Sequence, residues 1–201
     1  MISITPNQLS PRDAYRLLNS TVVPRPIAWV STIGADGSIN LAPFSFFNAV
    51  SGNPPTVMFS ISQRAGKPKD TLRNAQATGE FVVNLVDESL AAKMNQTSGD
   101  WAYGTNEFEI AQLETAPSLD VQPPRVARAP IALEARVSQI VPVLGTPNTL
   151  ILGHVVRWHI RDDLLRPNGL IDATRLHPIA RLGGDEYATL AAIFEMTRPT
   201  V

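Results

Sequence analysis

The pair Asp36-Gly37, set between two apolar segments, predicts a β-hairpin near the start of the chain. Residues 26–33 and 39–41 are rich in apolar and β-branched side chains. Both residues of the pair tolerate positive φ angles, which a tight hairpin turn requires. The returning strand continues towards Phe47 and is interrupted by Pro43. The chain therefore begins its sheet with two antiparallel strands.

Four further segments have the composition of β-strands. Residues 56–62 begin directly after a pair of prolines, and residues 80–86 are rich in apolar side chains. Residues 131–143 alternate polar and apolar side chains, and residues 149–160 form a second long strand after the turn at Pro147-Asn148. Six strands, mostly neighbours in sequence, predict a mainly β protein built as a barrel rather than as a parallel sheet.

A few short helices are predicted around these strands. Ser10 is a suitable N-cap for the first helix. Asp70 is a suitable N-cap and Gly79 a suitable C-terminal stop for a helix of about two turns. Residues 89–96 form another helix. Residues 113–130 are rich in proline and lack periodicity, and we interpret them as an ordered surface excursion within one domain spanning residues 1–201.

The composition limits the classes of partner. Hydrophobic residues make up 44% of the chain and charged residues 17%, which provides ample material for a core. A formal net charge of −1 leaves no excess of cations to neutralise phosphates, so nucleic acid is not an expected partner. The first residues lack the pattern of a signal peptide, and no apolar run reaches about 18 residues. We expect a cytoplasmic protein with no membrane association.

The chain contains no cysteine. Disulfides, thiolate metal sites and a cysteine nucleophile are therefore excluded, and any redox activity requires a bound cofactor. His154 and His159 lie five residues apart on one strand and thus on opposite faces, so no metal site is predicted. Rossmann and P-loop motifs are also missing from the sequence.

Two segments could form a ligand site. The first joins residues 25–32 to residues 40–48, where small hydroxyls accompany an aromatic run that could line a groove for a flat, polar-edged ring. The alternative is that two or three of the aromatic side chains belong to the core; these side chains are Trp29, Phe44, Phe46 and Phe47.

The second segment is a potential anion site. Arg64, Lys67 and Lys69 precede a helix whose first turn offers unpaired backbone N–H groups and the hydroxyl of Thr71. A helix N-terminus with nearby cations commonly binds phosphate. The alternative is a solvated basic loop.

Several short motifs in order resemble the flavin-reductase-like FMN-binding split-barrel family. They read RPIAWVST, NLAPFSFF, PPTVMFSI, KDTLRN and GEFVVN, and a late RLGGDEY resembles the C-terminal signature of the family. The resemblance covers roughly residues 20–190. Residues 145–149 read GTPNT, where the short flavin reductases carry a Gly-Asp-His tripeptide associated with nicotinamide use. The chain therefore resembles the longer, flavoredoxin-like branch.

The resemblance implies a split β-barrel of Greek-key type that forms a homodimer and binds FMN near the subunit interface. The side expected to face the flavin comprises Arg25, Trp29, Val30, Ser31, Thr32, Ser45, Phe46, Phe47, Ser60 and Ile61. The phosphate end is expected to comprise Lys67, Lys69 and Thr71.

The leading hypothesis is an NAD(P)H-dependent FMN reductase. A transiently bound nicotinamide would give a hydride to the flavin, and the electrons would pass to free flavin, oxygen or a partner oxygenase. His177, Arg181 and Tyr187 are candidates for the substrate side, although a surface histidine, a structural arginine and a core tyrosine explain them equally well. One alternative is an FMN-binding electron carrier or flavin-storage protein without NAD(P)H turnover. Another is a β-barrel binding domain without flavin.

Overall fold

A computed structural model, which describes residues 1–200, shows a mainly β protein with eleven strands. They are β1 (Ala28–Ile33), β2 (Ile39–Phe44), β3 (Phe47–Gly52), β4 (Pro55–Ser62), β5 (Glu80–Asn84), β6 (Thr115–Ala116), β7 (Arg125–Val126), β8 (Ile131–Pro142), β9 (Asn148–Ile160), β10 (Ala180–Arg181) and β11 (Tyr187–Ala188). Seven of them form one antiparallel sheet in the order β2-β1-β5-β8-β9-β4-β3. The prediction of a mainly β fold is confirmed.

The connection between β2 and β3 closes this sheet. The two strands lie at opposite edges of the sheet, yet only Ser45 and Phe46 separate them in the chain. Because two residues span only about 7 Å, the edges must come together and the sheet must curl. The backbone N–H of Ser60 in β4 donates to the carbonyl of Phe46 at 2.9 Å. The returning strand, predicted to run towards Phe47, therefore ends at Phe44 and a new strand begins.

The predicted first hairpin forms, with residues 34–38 as its connection, and Gly37 but not Asp36 takes a positive φ. Strands β1 and β2 pair from Ala28 opposite Phe44 to Ile33 opposite Ile39. Gly37 has a φ of +82°, a value that glycine adopts without steric cost. Strand β2 of this hairpin passes the start of the second helix, and the candidate site lies between the two.

Five short α-helices and three 3₁₀ turns connect the strands. The helices are α1 (Pro11–Thr21), α2 (Asp70–Thr78), α3 (Ala91–Gln96), α4 (Glu107–Ile110) and α5 (Ala173–Leu176), and the turns span Pro6–Gln8, Glu88–Leu90 and Asp162–Leu164. Ser10 caps α1 by accepting from the N–H of Asp13, as predicted. Gly79 ends α2 with a φ of +71°, also as predicted. The predicted N-cap of α2 is wrong by one residue, because Lys69 is the cap and Asp70 begins the helix.

The core occupies the inside of the curled sheet. Phe59 is fully buried between the rings of Phe44, at 5.2 Å, and Phe81, at 5.3 Å. A second apolar cluster surrounds Trp29 and includes Met94 of α3. Of the four aromatic residues near the hairpin, Trp29 and Phe44 are therefore core, whereas Phe46 and Phe47 are half-buried. Within the described chain, no helix combines the length and the apolar character needed to cross a membrane.

Candidate functional site

A cavity of about 640 Å³ opens between β2, the start of α2 and the segment from residue 97 to residue 107. This first cavity is lined by Asn40, Ala42, Pro43, Phe44, Arg64, Ala65, Lys67, Pro68, Lys69, Asp70, Thr71, Arg73, Thr97, Ser98, Gly99, Asp100, Trp101, Ala102, Tyr103 and Glu107. Its volume lies in the range of small-molecule and cofactor sites.

The N-terminus of α2 provides one end of the first cavity. The backbone N–H groups of Asp70 and Thr71 have no hydrogen-bond acceptor within residues 1–200. The Thr71 hydroxyl oxygen accepts from the Asn40 side-chain amide at 2.9 Å, which leaves its proton available to donate. Lys67 and Lys69 are exposed and line the same end. The three residues predicted for the phosphate end, Lys67, Lys69 and Thr71, therefore all line the first cavity.

The other two cations of this cavity are engaged with the wall. The Arg64 guanidinium donates to the carbonyls of Asp100 and Trp101, and its Nε lies 3.4 Å from the Asp100 carboxylate. The Arg73 guanidinium lies 3.6 Å from the centre of the Tyr103 ring, a cation–π contact. These contacts hold the segment from residue 97 to residue 107 over the cavity. Lys67 and Lys69 remain for a ligand.

Glu107 brings a buried carboxyl group to the cavity. Its side chain lies at the start of α4 and accepts from the backbone N–H of Leu41 at 2.9 Å. Burial raises the pKa of Glu107 to about 7, against the hydrogen bond from Leu41, and the charge of Asp70 adds to the rise. The carboxyl therefore changes charge near neutral pH inside a cavity suited to an anion.

This raised pKa predicts a pH-dependent cost of folding. A carboxyl with a raised pKa destabilises the folded protein once it must ionise, so stability falls as pH rises from about 4.5 through 7. The variant E107Q keeps an acceptor for Leu41 but cannot ionise. We expect E107Q to exceed the wild type in free energy of unfolding by about 2 kcal/mol at pH 8, and to match it near pH 5. Urea unfolding at both pH values measures this difference.

The matched control for this prediction is E109Q on the same helix. Glu109 is exposed and contacts the side chain of Asn106. The E109Q variant should keep the wild-type dependence on pH. If E107Q shows the wild-type dependence as well, the buried carboxyl is not the source of it.

A second cavity of about 530 Å³ adjoins the first. Pro43 and Ser98 line both cavities, so the two are neighbours, and we refer to them together as the groove. The second cavity is lined by Tyr15, Arg16, Asn19, Arg25, Ile27, Pro43, Ser45, Met94, Asn95, Ser98, Arg181, Leu182, Gly184, Asp185 and Tyr187. It brings together four predicted site residues, which are Arg25, Ser45, Arg181 and Tyr187.

Arg25 is the buried cation of the second cavity, with 7% of its surface exposed. Its guanidinium donates to the carbonyls of Asn19 and Val22 at the end of α1 and to the carbonyl of Leu182. Its Nε lies 3.4 Å from the Ser45 hydroxyl. Burial lowers the pKa of Arg25, and the nearby charge of Arg181 lowers it further.

Arg181 and Tyr187 face each other across the β10–β11 hairpin. The Arg181 guanidinium lies 4.5 Å from the centre of the Tyr187 ring and also donates to the carbonyl of Gly184. The Tyr187 hydroxyl donates to the Asn95 side chain at 3.1 Å. Both predicted substrate-side residues are thus fixed on the wall of the second cavity.

Other predicted residues lie behind the groove rather than in it. The side chains of Trp29, Val30, Ser31, Thr32 and Ile61 are buried and line neither cavity. The indole N–H of Trp29 donates to the Thr97 hydroxyl at 2.9 Å and so supports the wall from behind.

Four further predicted residues also lie outside both cavities. Phe46, Phe47 and Ser60 are half-buried near the closure of the sheet, and the Ser60 hydroxyl accepts from the side-chain amide of Asn148 at 3.1 Å. His177 is exposed at the end of α5, where its carbonyl accepts from Glu88. The structure does not bring His177 to the groove with Arg181 and Tyr187.

Sequence reasoning missed the residues that come from the segment between α3 and α4 and from the start of α4. Ser98, Trp101, Tyr103 and Glu107 line the first cavity but belong to no recognised motif. They carry no periodicity, and their position depends on long-range contacts such as those of Arg64. Arg73 lies within the KDTLRN motif, close to Lys69 in the sequence. The motif could therefore have indicated that Arg73 also lines the first cavity.

The architecture matches solved split-barrel structures. A protein described as a putative flavin reductase with split barrel domain from Shewanella frigidimarina superposes with a TM-score of 0.89 at 21% identity, covering 99% of this chain and 100% of that one. The predicted split-barrel fold is thereby confirmed.

Residues 20–179 match the family described as flavin reductase like domain. The chain belongs to this family. It is 39% identical to nitrilotriacetate monooxygenase component B from Bacillus cereus, with a TM-score of 0.94 and 98% of both chains covered. It is 30% identical to the 2-nitrobenzoate 2-nitroreductase of Pseudomonas fluorescens, with a TM-score of 0.90 and 99% and 97% covered. The predicted family is confirmed.

Proposed function

We propose that the protein binds FMN in the first cavity and acts as an NAD(P)H-dependent flavin oxidoreductase. The observation that carries this proposal is the groove itself. One end combines Lys67, Lys69 and the N–H groups at the start of α2, and the other end opens into a separate cavity lined by Arg181 and Tyr187. Such a groove can hold a phosphate at one end and leave room for a second molecule at the other.

The donors at the cationic end fit a single terminal phosphate. Two unpaired N–H groups, one hydroxyl and two ammonium groups lie within five residues of chain, from residue 67 to residue 71, and line the same cavity. A helix N-terminus with adjacent cations stabilises such a group through its dipole and its donors. This end therefore favours FMN over riboflavin, which has no phosphate.

The flavin, when bound, supplies hydride acceptance from a nicotinamide and onward transfer of both electrons to flavin, oxygen or a partner oxygenase. The residues of the chain position and enclose the bound flavin and the substrate. Tyr103 and Trp101 form part of the wall of the first cavity, Thr71 and Lys69 orient the phosphate, and Arg181 and Tyr187 position the substrate. Glu107 holds or releases a proton at its carboxyl oxygen beside the cavity. The 39% identity to a monooxygenase component B supports an oxygenase as the electron acceptor.

The spectrum of the purified protein tests this function. We expect a yellow protein that releases FMN on denaturation, and we expect NADH or NADPH to bleach the flavin repeatedly in the presence of oxygen or free flavin. Stable colour in the presence of both nicotinamides would favour the second candidate, an electron carrier or flavin store. The missing Gly-Asp-His tripeptide supports that second candidate. A colourless protein that takes up no added FMN would contradict both.

We also propose that the chain forms a homodimer. Large apolar side chains are exposed along α1, directly after it and in the segment from residue 190 to residue 196, including Leu18 at 52%, Val22 at 55% and Phe194 at 79%. Exposed apolar surface of this kind commonly marks an interface. Sedimentation equilibrium should give twice the chain mass of 21.8 kDa, and the variant L18E should shift the population towards monomer. A wild-type mass of one chain would contradict the dimer.

A further inference from the structure

The second cavity is strongly cationic in a chain that is nearly neutral. Three arginines line it, Arg16, Arg25 and Arg181, against one acidic residue, Asp185. The Asp185 side chain is fully exposed, and its carboxylate lies 3.8 Å from Arg181. Within the described chain, no carboxylate lies within ion-pair distance of Arg16 or Arg25. The formal net charge of the whole protein is −1, so this local excess of positive charge is a property of the cavity.

The buried arginine retains capacity for a ligand. A guanidinium offers five N–H donors. Arg25 uses both donors of Nη1, one of Nη2 and the long contact from Nε. One N–H of Nη2 therefore has no partner within residues 1–200. Burying a guanidinium without a carboxylate is costly, and an anion entering the cavity would offset that cost.

The walls also suit a planar molecule. The Tyr187 ring contacts the Arg181 guanidinium, its hydroxyl donates to the Asn95 side chain, and Tyr15 provides a second aromatic ring among the lining residues. Pro43 and Ser98 line both this space and the first cavity, so the two spaces are neighbours. A molecule with one end here can therefore extend its other end towards a flavin bound next door.

We propose that the second cavity binds the anionic group, a carboxylate or a phosphate, of the substrate that exchanges electrons with the flavin. This inference rests on the proposed flavin site in the first cavity. Arg181 and Arg16 attract and hold the anion, Arg25 adds its remaining donor, and Asp185 opposes the binding. The enzyme would thus select negatively charged substrates over neutral molecules of the same shape.

Matched probes with and without charge test this selection on the FMN-loaded protein. Calorimetric titration compares benzoate with benzamide, which tests an acceptor carboxylate. The rate of flavin bleaching compares reduced nicotinamide mononucleotide with 1-benzyl-1,4-dihydronicotinamide, which tests a donor phosphate. In at least one pair, we expect the charged probe to bind about tenfold more tightly or, for the hydride donors, to reach its half-maximal bleaching rate at about tenfold lower concentration, and that pair identifies the source of the anion.

Variants that remove a positive charge or a negative charge from the second cavity test the proposal further. We expect R181Q and R16Q to reduce the preference for the charged probe by about three- to tenfold, and D185N to raise it by about two- to threefold. The control R12Q removes the same charge one helical turn from Arg16, at an exposed position outside both cavities, and should leave the preference unchanged. Because Asp185 is fully exposed, D185N gives a readout even if R181Q does not fold.

The failure of this inference differs from the failure of the proposed function. Equal binding of charged and neutral probes in both pairs, by a protein that holds FMN normally, overturns the anion site alone. An equal effect of R12Q and R16Q also overturns it, because the charge would then act at a distance. A protein that takes up no FMN overturns the proposed function and this inference with it.

Discussion

Replacing Lys67 and Lys69 together with alanine should weaken FMN binding by about 100-fold and leave riboflavin binding within about twofold. The two ammonium groups are exposed, line the phosphate end of the first cavity and have no carboxylate within ion-pair distance among residues 1–200. Each can therefore make a charge-assisted hydrogen bond to a phosphate. Riboflavin carries the same ring system without that group, so it reports on the rest of the cavity.

The control for this experiment removes two charges elsewhere. Arg12 and Arg128 are exposed and line neither cavity, so the double variant R12A/R128A should bind FMN as the wild type does. Fluorescence titration of the three apoproteins, the wild type and both double variants, with each flavin gives the six dissociation constants. Equal losses for FMN and riboflavin in K67A/K69A would show that the two lysines do not hold the phosphate. Equal FMN losses in both double variants would show a general charge effect.

The sequence was sufficient for the local parts of the fold. The Asp36-Gly37 turn, the Ser10 cap and the Gly79 stop depend on residues next to one another in the chain, and all three occur as predicted. The break between β2 and β3 was missed because its cause is the meeting of two sheet edges, a contact that no local pattern encodes. The same holds for Glu134, which the alternation placed on a polar face and which the structure buries completely.

The candidate site likewise combines residues that could be predicted from the sequence with residues that could not. Lys67, Lys69 and Thr71 could be predicted because a phosphate end needs cations and a helix N-terminus that are close in sequence. The buried side chains of Trp29 and Thr32 could not be separated from groove residues, since a strand in a closed barrel can be covered on both faces. Glu107 reaches the cavity only through its bond to Leu41, across a long separation in sequence.

Loss of Glu134 should strongly destabilise the fold. Its side chain is fully buried in β8, and its carboxylate accepts from the backbone N–H groups of Leu119, Asp120 and Val121 at 2.8, 2.6 and 3.1 Å. His159 Nε2 lies 2.5 Å from the same carboxylate. Burial alone would raise the pKa of Glu134, but the hydrogen bonds from His159 and the backbone outweigh it and lower the pKa.

The variant E134A should therefore lose about 4 kcal/mol in free energy of unfolding, because it removes the acceptor of one buried and two partly buried N–H groups and leaves a cavity. The variant E134Q should lose about 2 kcal/mol, since its amide oxygen can still accept while its N–H₂ group faces donors. The control E114A removes an exposed carboxylate from the same surface excursion and should change stability by less than about 0.5 kcal/mol. Urea unfolding at pH 7 measures all three.

The free energy of unfolding at low pH provides an independent test of the role of Glu134. A carboxylate with a lowered pKa contributes stability that is present above its unfolded pKa and is lost as pH falls through the folded value. The advantage of the wild type over E134Q should therefore shrink below about pH 4.5. Glu134 lines neither cavity, so folded E134Q should bind FMN with wild-type affinity. A variant as stable as the wild type would show that the excursion does not depend on this carboxylate, whereas loss of FMN binding in a folded variant would tie the excursion to the groove.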